Sequence, residues 1–104
     1  MADIEVRGHT PRVSVTQGDR ITVRLDENPS TGYQWSAAPT SDILEVASSE
    51  LLPGPTTSPG AGGARVIVLR SARAGLGQVH FSLARSWQRE KPIDGWTLDV
   101  DVGA

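Results

Sequence analysis

The sequence has no cysteine, one methionine and only 5% aromatic residues. Without cysteine, a disulfide scaffold, a thiolate zinc site, an iron–sulfur cluster and a cysteine nucleophile are all excluded, and oxidising and reducing compartments are equally compatible with the chain. A positive excess is also missing: Lys+Arg 10 against Asp+Glu 12 gives a net charge of -2. A protein that grips a phosphate backbone carries the opposite balance, so no nucleic acid partner is expected. Apolar runs extend only a few residues, against the roughly 20 that a membrane-spanning helix needs, so a soluble protein without a membrane partner is expected. The N-terminal residues 1–7 alternate polar and apolar types instead of leading a basic stretch into an apolar one. This is not the form of a signal peptide. The expectation is a cytoplasmic protein as the chain stands, or a secreted or periplasmic one if a signal peptide has been removed. Finally, no segment shows an apolar stripe at i, i+3, i+4, i+7 over three turns, which argues against an α-rich fold.

What is present is a dominant period of two. In 104 residues there is material for one core, with no repeat and no linker, so a single domain spanning 1–104 is expected. Val13 and Val15 alternate with Arg12, Ser14 and Thr16, and after Gln17, Gly18 and Asp19 the set Ile21, Val23, Leu25 alternates with Arg20, Thr22, Arg24. This predicts a hairpin with one buried face. Tyr33, Trp35 and Ala37 form a third strand that stops at Pro39. A short fourth strand is expected from Leu44 to Ala47, or else one helical turn with Ser41 as its cap. Residues 51–63 carry Pro53, Gly54, Pro55, Pro59, Gly60, Gly62 and Gly63 and are expected to form a long loop, because proline lacks the N–H and glycine loses much entropy when ordered. Residues 65–70 form an apolar strand bracketed by arginines. Val79, Phe81 and Leu83 form the next, and Trp96, Leu98, Val100 and Val102 the last. Seven or eight short strands at even spacing predict an all-β, immunoglobulin-like antiparallel sandwich, with a small barrel as the alternative.

In a sandwich, alternate loops share an end, and three loops with special composition fall on the same one. Asn28, Pro29, Ser30, Thr31, Gly32 and Tyr33 have strong turn chemistry, which by itself requires no more than a well-made connection. Gly60, Ala61, Gly62 and Gly63 are not a phosphate loop, since no GK[ST] follows and a strand comes next, although such a segment exposes amides that pair with an extended partner. Trp87 lies in a polar loop between Arg85 and Arg89, and exposed Trp and Arg are the residue types that most often dominate protein interfaces.

Taken in order, Asn28-Pro-Ser-Thr-Gly-Tyr33, the run Gly60-Ala-Gly-Gly63 and Arg85-Ser-Trp87 resemble the signature patterns NP[ST]TG[YF], GxGG and RP[WF] of the chagasin-like inhibitors of cysteine peptidases. That family's fold is an immunoglobulin-like sandwich of about this length. The resemblance implies a binder, monomeric when free, that blocks the cleft of papain-family peptidases without being cleaved. It places the first loop at the catalytic cysteine and histidine, with Thr31 at the tip and Gly32 allowing close approach. The loop ending Gly60 to Gly63 would run along the substrate groove, and Trp87 would pack on the aromatic rim with Arg85 supplying polar contacts. Ser86 departs from the family's usual proline, so the third loop loses a φ restriction.

Other classes fit less well. Catalysis would have to use His9, expected in a mobile N-terminal segment, or His80, which faces the polar side of a strand. Asp99 and Asp101 share one face of the last strand, a spacing that equally suits solvent-facing charges that discourage edge pairing. Nothing in the spacing brings His80 to them as a metal site, and neither a cofactor nor an enzymatic activity is expected. An adhesion or carbohydrate-binding module is the alternative, but Trp35 and Trp96 fall among apolar neighbours and are expected in the core, leaving Trp87 alone as an exposed aromatic.

Overall fold

Alternation becomes architecture through eight strands: β1 Asp3–Arg7, β2 Arg12–Thr16, β3 Arg20–Glu27, β4 Tyr33–Pro39, β5 Leu44–Leu52, β6 Gly63–Ser71, β7 Gly75–Arg85 and β8 Asp94–Gly103. The computed structural model describes residues 2–52 and 62–104. Two four-stranded sheets, in the orders β1-β3-β6-β5 and β2-β8-β7-β4, face one another. The predicted all-β sandwich is what forms. Its core is the inward set of both sheets: Ile21, Val23, Leu69, Val79 and Leu98 are wholly excluded from solvent, and each such side chain contributes roughly 1.5–3 kcal/mol by leaving water. Trp35 is buried and Trp96 packs half-buried against the core, stacked on Phe81 at 4.4 Å between ring centroids. Their indole N–H groups donate to the carbonyls of Asp26 (3.0 Å) and Thr10 (2.9 Å), which removes the cost of burying a polar edge.

Four expectations are corrected. The segments around Gly18 do not form a hairpin: β2 pairs in parallel with β8, whereas β3 pairs with β1 and β6 in the other sheet. Both strands turn apolar residues toward the same core, so alternation identifies the buried face but not the wall to which a strand belongs. The crossing is made by Gly18 at φ 95, with the Gly18 N–H donating to the Ser71 carbonyl at 2.9 Å. The second correction concerns β5, which has nine residues and is neither a short strand nor a helical turn. Ser41 Oγ merely accepts from the Ile43 N–H at 3.4 Å. Leu51 and Leu52, expected in the loop, pair with Arg65 and Ala64, and Gly63 pairs with Glu27. A register shift between Val46 and Ser48 interrupts the ladder, which is why the sequence of β5 does not alternate.

The third correction is at the N-terminus, where Asp3–Arg7 joins β3 in parallel as an additional edge strand and His9 is held in place. His9 takes φ 65, its ring lies 4.9 Å from that of Trp96, and its Nε2 is 2.8 Å from Asp94 Oδ1. The fourth concerns Asp99 and Asp101: β8 runs between β2 and β7, so their charges guard no edge. Asp99 instead accepts a hydrogen bond from Gln78 Nε2 at 2.9 Å. His80 behaves as expected of an outward residue, exposed and 2.7 Å from Thr97 Oγ1.

Candidate functional site: three loops at one end of the sandwich

Strand pairing decides which loops meet. Tyr33 is opposite Arg85, Glu27 opposite Gly63, and Leu83 opposite Asp94. The strand ends that flank the segments 28–32, 53–62 and 86–93 therefore lie at the same end of the sandwich. Of the second, the predicted Gly60 and Ala61 lie outside the described residues. Gly62 is exposed and Gly63 opens β6. A Cβ on Gly63 would stand 2.5 Å from the Leu52 carbonyl oxygen, so this position has to be glycine for the strands to close beneath the loop.

The first loop is rigid through its own hydrogen bonds. Asn28 caps the single 3-10 turn Pro29–Thr31, its Oδ1 accepting from the Ser30 N–H at 3.0 Å and from Ser30 Oγ at 2.8 Å. Proline at the first helical position supplies the needed φ and lacks an N–H that would have gone unpaired. The Thr31 hydroxyl donates to the Asn28 carbonyl at 2.9 Å and accepts from the Tyr33 N–H at 3.2 Å. Gly32 ends the turn at φ 79, a left-handed conformation that favours glycine. Pro29, Ser30 and Thr31 are all exposed.

Beneath this loop lies a feature that the sequence reading passed over. Glu27 is 4% exposed, and its carboxylate is held by Arg65 through Nη2 to Oε2 at 2.7 Å and Nε to Oε1 at 3.2 Å. Oε1 also accepts from the Trp35 N–H at 2.6 Å. One buried carboxylate thus ties together β3, β4 and β6, the strands that carry the first loop and the end of the second. Charge-assisted, bidentate contacts of this kind fix geometry more than they add stability. A signal was available: Glu27 continues the inward series Ile21, Val23, Leu25, and a charge at an inward position demands a buried partner.

The third loop begins with a turn in which the Gln88 N–H donates to the Arg85 carbonyl at 2.9 Å. Trp87, at its tip, is 68% exposed. Arg85 is half-buried, with its guanidinium 4.5 Å above the Tyr33 ring and 5.9 Å from that of Trp87. Where the loop rejoins the sandwich, Asp94 accepts from His9 and from the Gly95 N–H at 2.7 Å. The His9 contact is the main reason why its carboxyl titrates below the usual range, against a smaller opposing effect of burial. Among the described residues no group of histidines and acids converges to hold a metal ion.

Among the described residues of these loops no nucleophile has a base beside it, and the first and third loops are exposed and braced from within. In sequence, the chain is 27% identical over 91 residues to Amoebiasin-2 of Entamoeba histolytica, covering 85% of this chain and 74% of that protein. In structure, it resembles the crystallised cysteine protease inhibitor EhICP2 of Entamoeba histolytica, with a TM-score of 0.80, 23% identity, and coverage of 97% and 96% of the two chains. The solution structure of Amebosin is similar, with a TM-score of 0.76 at 21% identity over 95% and 96% of the chains. PbICP-C, solved in complex with falcipain-2, shares the fold at a TM-score of 0.60 and 15% identity over 97% and 88%. Residues 14–102 match the model of the chagasin family peptidase inhibitors I42, and on that match the chain belongs to the chagasin family of peptidase inhibitors.

Proposed function

We propose that this protein, an inhibitor of cysteine peptidases and not an enzyme, closes the active cleft of a papain-family peptidase with the loops at 28–32, 53–62 and 86–93. The observation that carries the reading is the common end of the three segments, one of them presenting an exposed tryptophan and another a braced proline-glycine turn. In this reading Thr31 stands at the tip that meets the catalytic cysteine and histidine, the glycine-rich segment follows the substrate groove, and Trp87 packs on the rim. The relatives support the target class: one is described as a cysteine protease inhibitor, and another was solved in complex with falcipain-2. Blocking is steric. The Thr31 hydroxyl is already committed to Asn28 and Tyr33, so it holds the loop in shape and attacks nothing.

Pre-organised loops lose little conformational entropy on docking, and entropy retained in this way raises affinity more than added area does. A standard interface takes roughly 800 Å² per partner, a patch that three loops at one end can supply. The test is titration of the purified protein against papain with a fluorogenic peptide substrate. Tight, reversible inhibition without cleavage of the inhibitor is expected; papain left fully active at micromolar inhibitor would overturn the proposal.

A further inference from the structure

We infer that Arg85 is a positioning residue: its guanidinium, packed against Tyr33 and Trp87, holds the Trp87 indole on Gly32 in the free protein. The first and third loops thereby present one preformed surface. The inference rests on the inhibitory reading for its purpose, but not for its geometry.

Three observations support it. First, Arg85 is opposite Tyr33 in the β4–β7 ladder, so the 4.5 Å approach of guanidinium to phenol ring is set by sheet register. The same guanidinium lies 5.9 Å from the Trp87 ring centroid, within the range of a cation–π contact. Second, Arg85 Nε is buried and has no hydrogen-bond partner. An arginine recruited for hydrogen bonding would satisfy that donor, whereas one recruited for its flat cationic face accepts the loss in exchange for stacking. Third, the indole occupies the space above Gly32 where another residue would have a side chain: a Cβ built there would stand 3.2 Å from Trp87 Cη2. Gly32 therefore serves as a seat for Trp87 as well as a left-handed turn residue.

The clamp explains how the loop tolerates Ser86. The hydrogen bond from the Gln88 N–H to the Arg85 carbonyl encloses Ser86 and Trp87 as the two central residues of a four-residue turn. Ser86 takes the first of these positions, where proline would fix φ and stiffen the turn. With serine there, the orientation of Trp87 is held from outside the turn, by Arg85 and Gly32.

The decisive measurement is made without any peptidase. The Trp87 indole N–H is followed by heteronuclear NOE in wild type, Arg85→Ala, Arg85→Lys and Ser86→Pro/Arg85→Ala. The hydrogen-bonded indoles of Trp35 and Trp96 serve as internal references for an intact fold. The clamp requires Trp87 to become mobile in Arg85→Ala while both references stay ordered, with partial recovery in Arg85→Lys and in the double variant. Papain inhibition should weaken roughly 3- to 30-fold in Arg85→Ala, as loss of a cation–π contact implies. Ser86→Pro should recover more inhibition in the Arg85→Ala background than it adds to wild type. An equally ordered Trp87 in Arg85→Ala would overturn the clamp. If inhibition weakened all the same, Arg85 would be a direct contact and the inhibitory reading would stand. If Trp87 loosened as required but wild type left papain active, the clamp would be upheld and the inhibitory reading would fail.

Discussion

The two ends of the sandwich are built from the same strands and are finished in opposite ways. At the far end, the turn at Gln17, Gly18 and Asp19 turns its polar groups inward. Its N–H groups reach the carbonyls of Gly103 (2.7 Å), Ser71 (2.9 Å) and Thr16 (2.9 Å), while the Asp19 carbonyl accepts from the Ser71 N–H at 3.0 Å. The Asp19 carboxylate, itself buried, accepts from the backbone of Ala2 at 2.8 Å and of Thr16 at 2.9 Å. These bonds hold its carboxyl below the usual range, the Ala2 bond most of all, with burial acting weakly in the opposite sense. At the loop end, hydrogen bonds brace the first and third loops from within and leave Trp87 and the Pro29–Thr31 turn outside. Both ends use a buried carboxylate to join the two sheets, Asp19 at one and Glu27 at the other, and the loop end adds local hydrogen bonds that keep exposed turns in shape. The lesson is that rigidity and exposure are compatible when a loop's hydrogen bonds are local, which is what a preformed binding surface requires.

The largest effect that would break this comparison concerns the shared foundation. Trp35→Ala should cost roughly 3–5 kcal/mol as a buried aromatic removed from the core, and the denaturant midpoint should fall accordingly. Glu27→Ala should cost about the same, because it leaves Arg65 in a confined site without its partner and frees the Trp35 N–H. If Glu27→Ala proved neutral in a urea melt, the carboxylate would not be the tie beneath the loops.

Next comes the contrast between the ends. Trp87→Ala should weaken inhibition of papain at least tenfold with the melting temperature nearly unchanged, because the side chain is 68% exposed. Thr31→Ala should also weaken inhibition, with a small loss of stability from its two local hydrogen bonds, about 1 kcal/mol. A fall in melting temperature for Trp87→Ala as large as for Trp35→Ala would make Trp87 a packing residue and erase the distinction between the ends.

The smallest effect is a dependence on pH, to which both carboxyls lowered in the folded state contribute, Asp19 at the far end and Asp94 at the loop end. A carboxyl with its folded-state value lowered stabilises the fold above its unfolded value of about 3.9, and that contribution disappears as pH falls through the lower, folded value. Urea melts of wild type should therefore lose stability as the pH drops below about 4. Asp19→Asn should show a shallower acid limb, and an unchanged acid limb would remove Asp19 from the account.

Much of this was legible in the residues. Ile21, Val23 and Leu25 marked a strand and its buried face, Pro39 marked the end of another, and Asn28 to Gly32 stated their turn chemistry outright. Family membership was visible too, because three short motifs in order carry far more information than any one alone. Other features left no local trace. The sequence of β5 lacks alternation because the strand lies at a sheet edge with a bulge, and only β6 beside it keeps it extended. His9 has no helix or strand pattern around it, and its position follows from Trp96 and Asp94, more than eighty residues further along the chain.

The sequence by itself determined the secondary-structure type, the buried face of most strands and the chemistry of the exposed turns, because these depend on side-chain period and on backbone freedom within a few residues. Only the tertiary structure decided which sheet receives β2 and β3, which carboxylate anchors the first loop, and where the Trp87 indole rests. Each of these is a pairing between distant segments, and a period of two specifies the side of the sheet to which a residue points without specifying what meets it there.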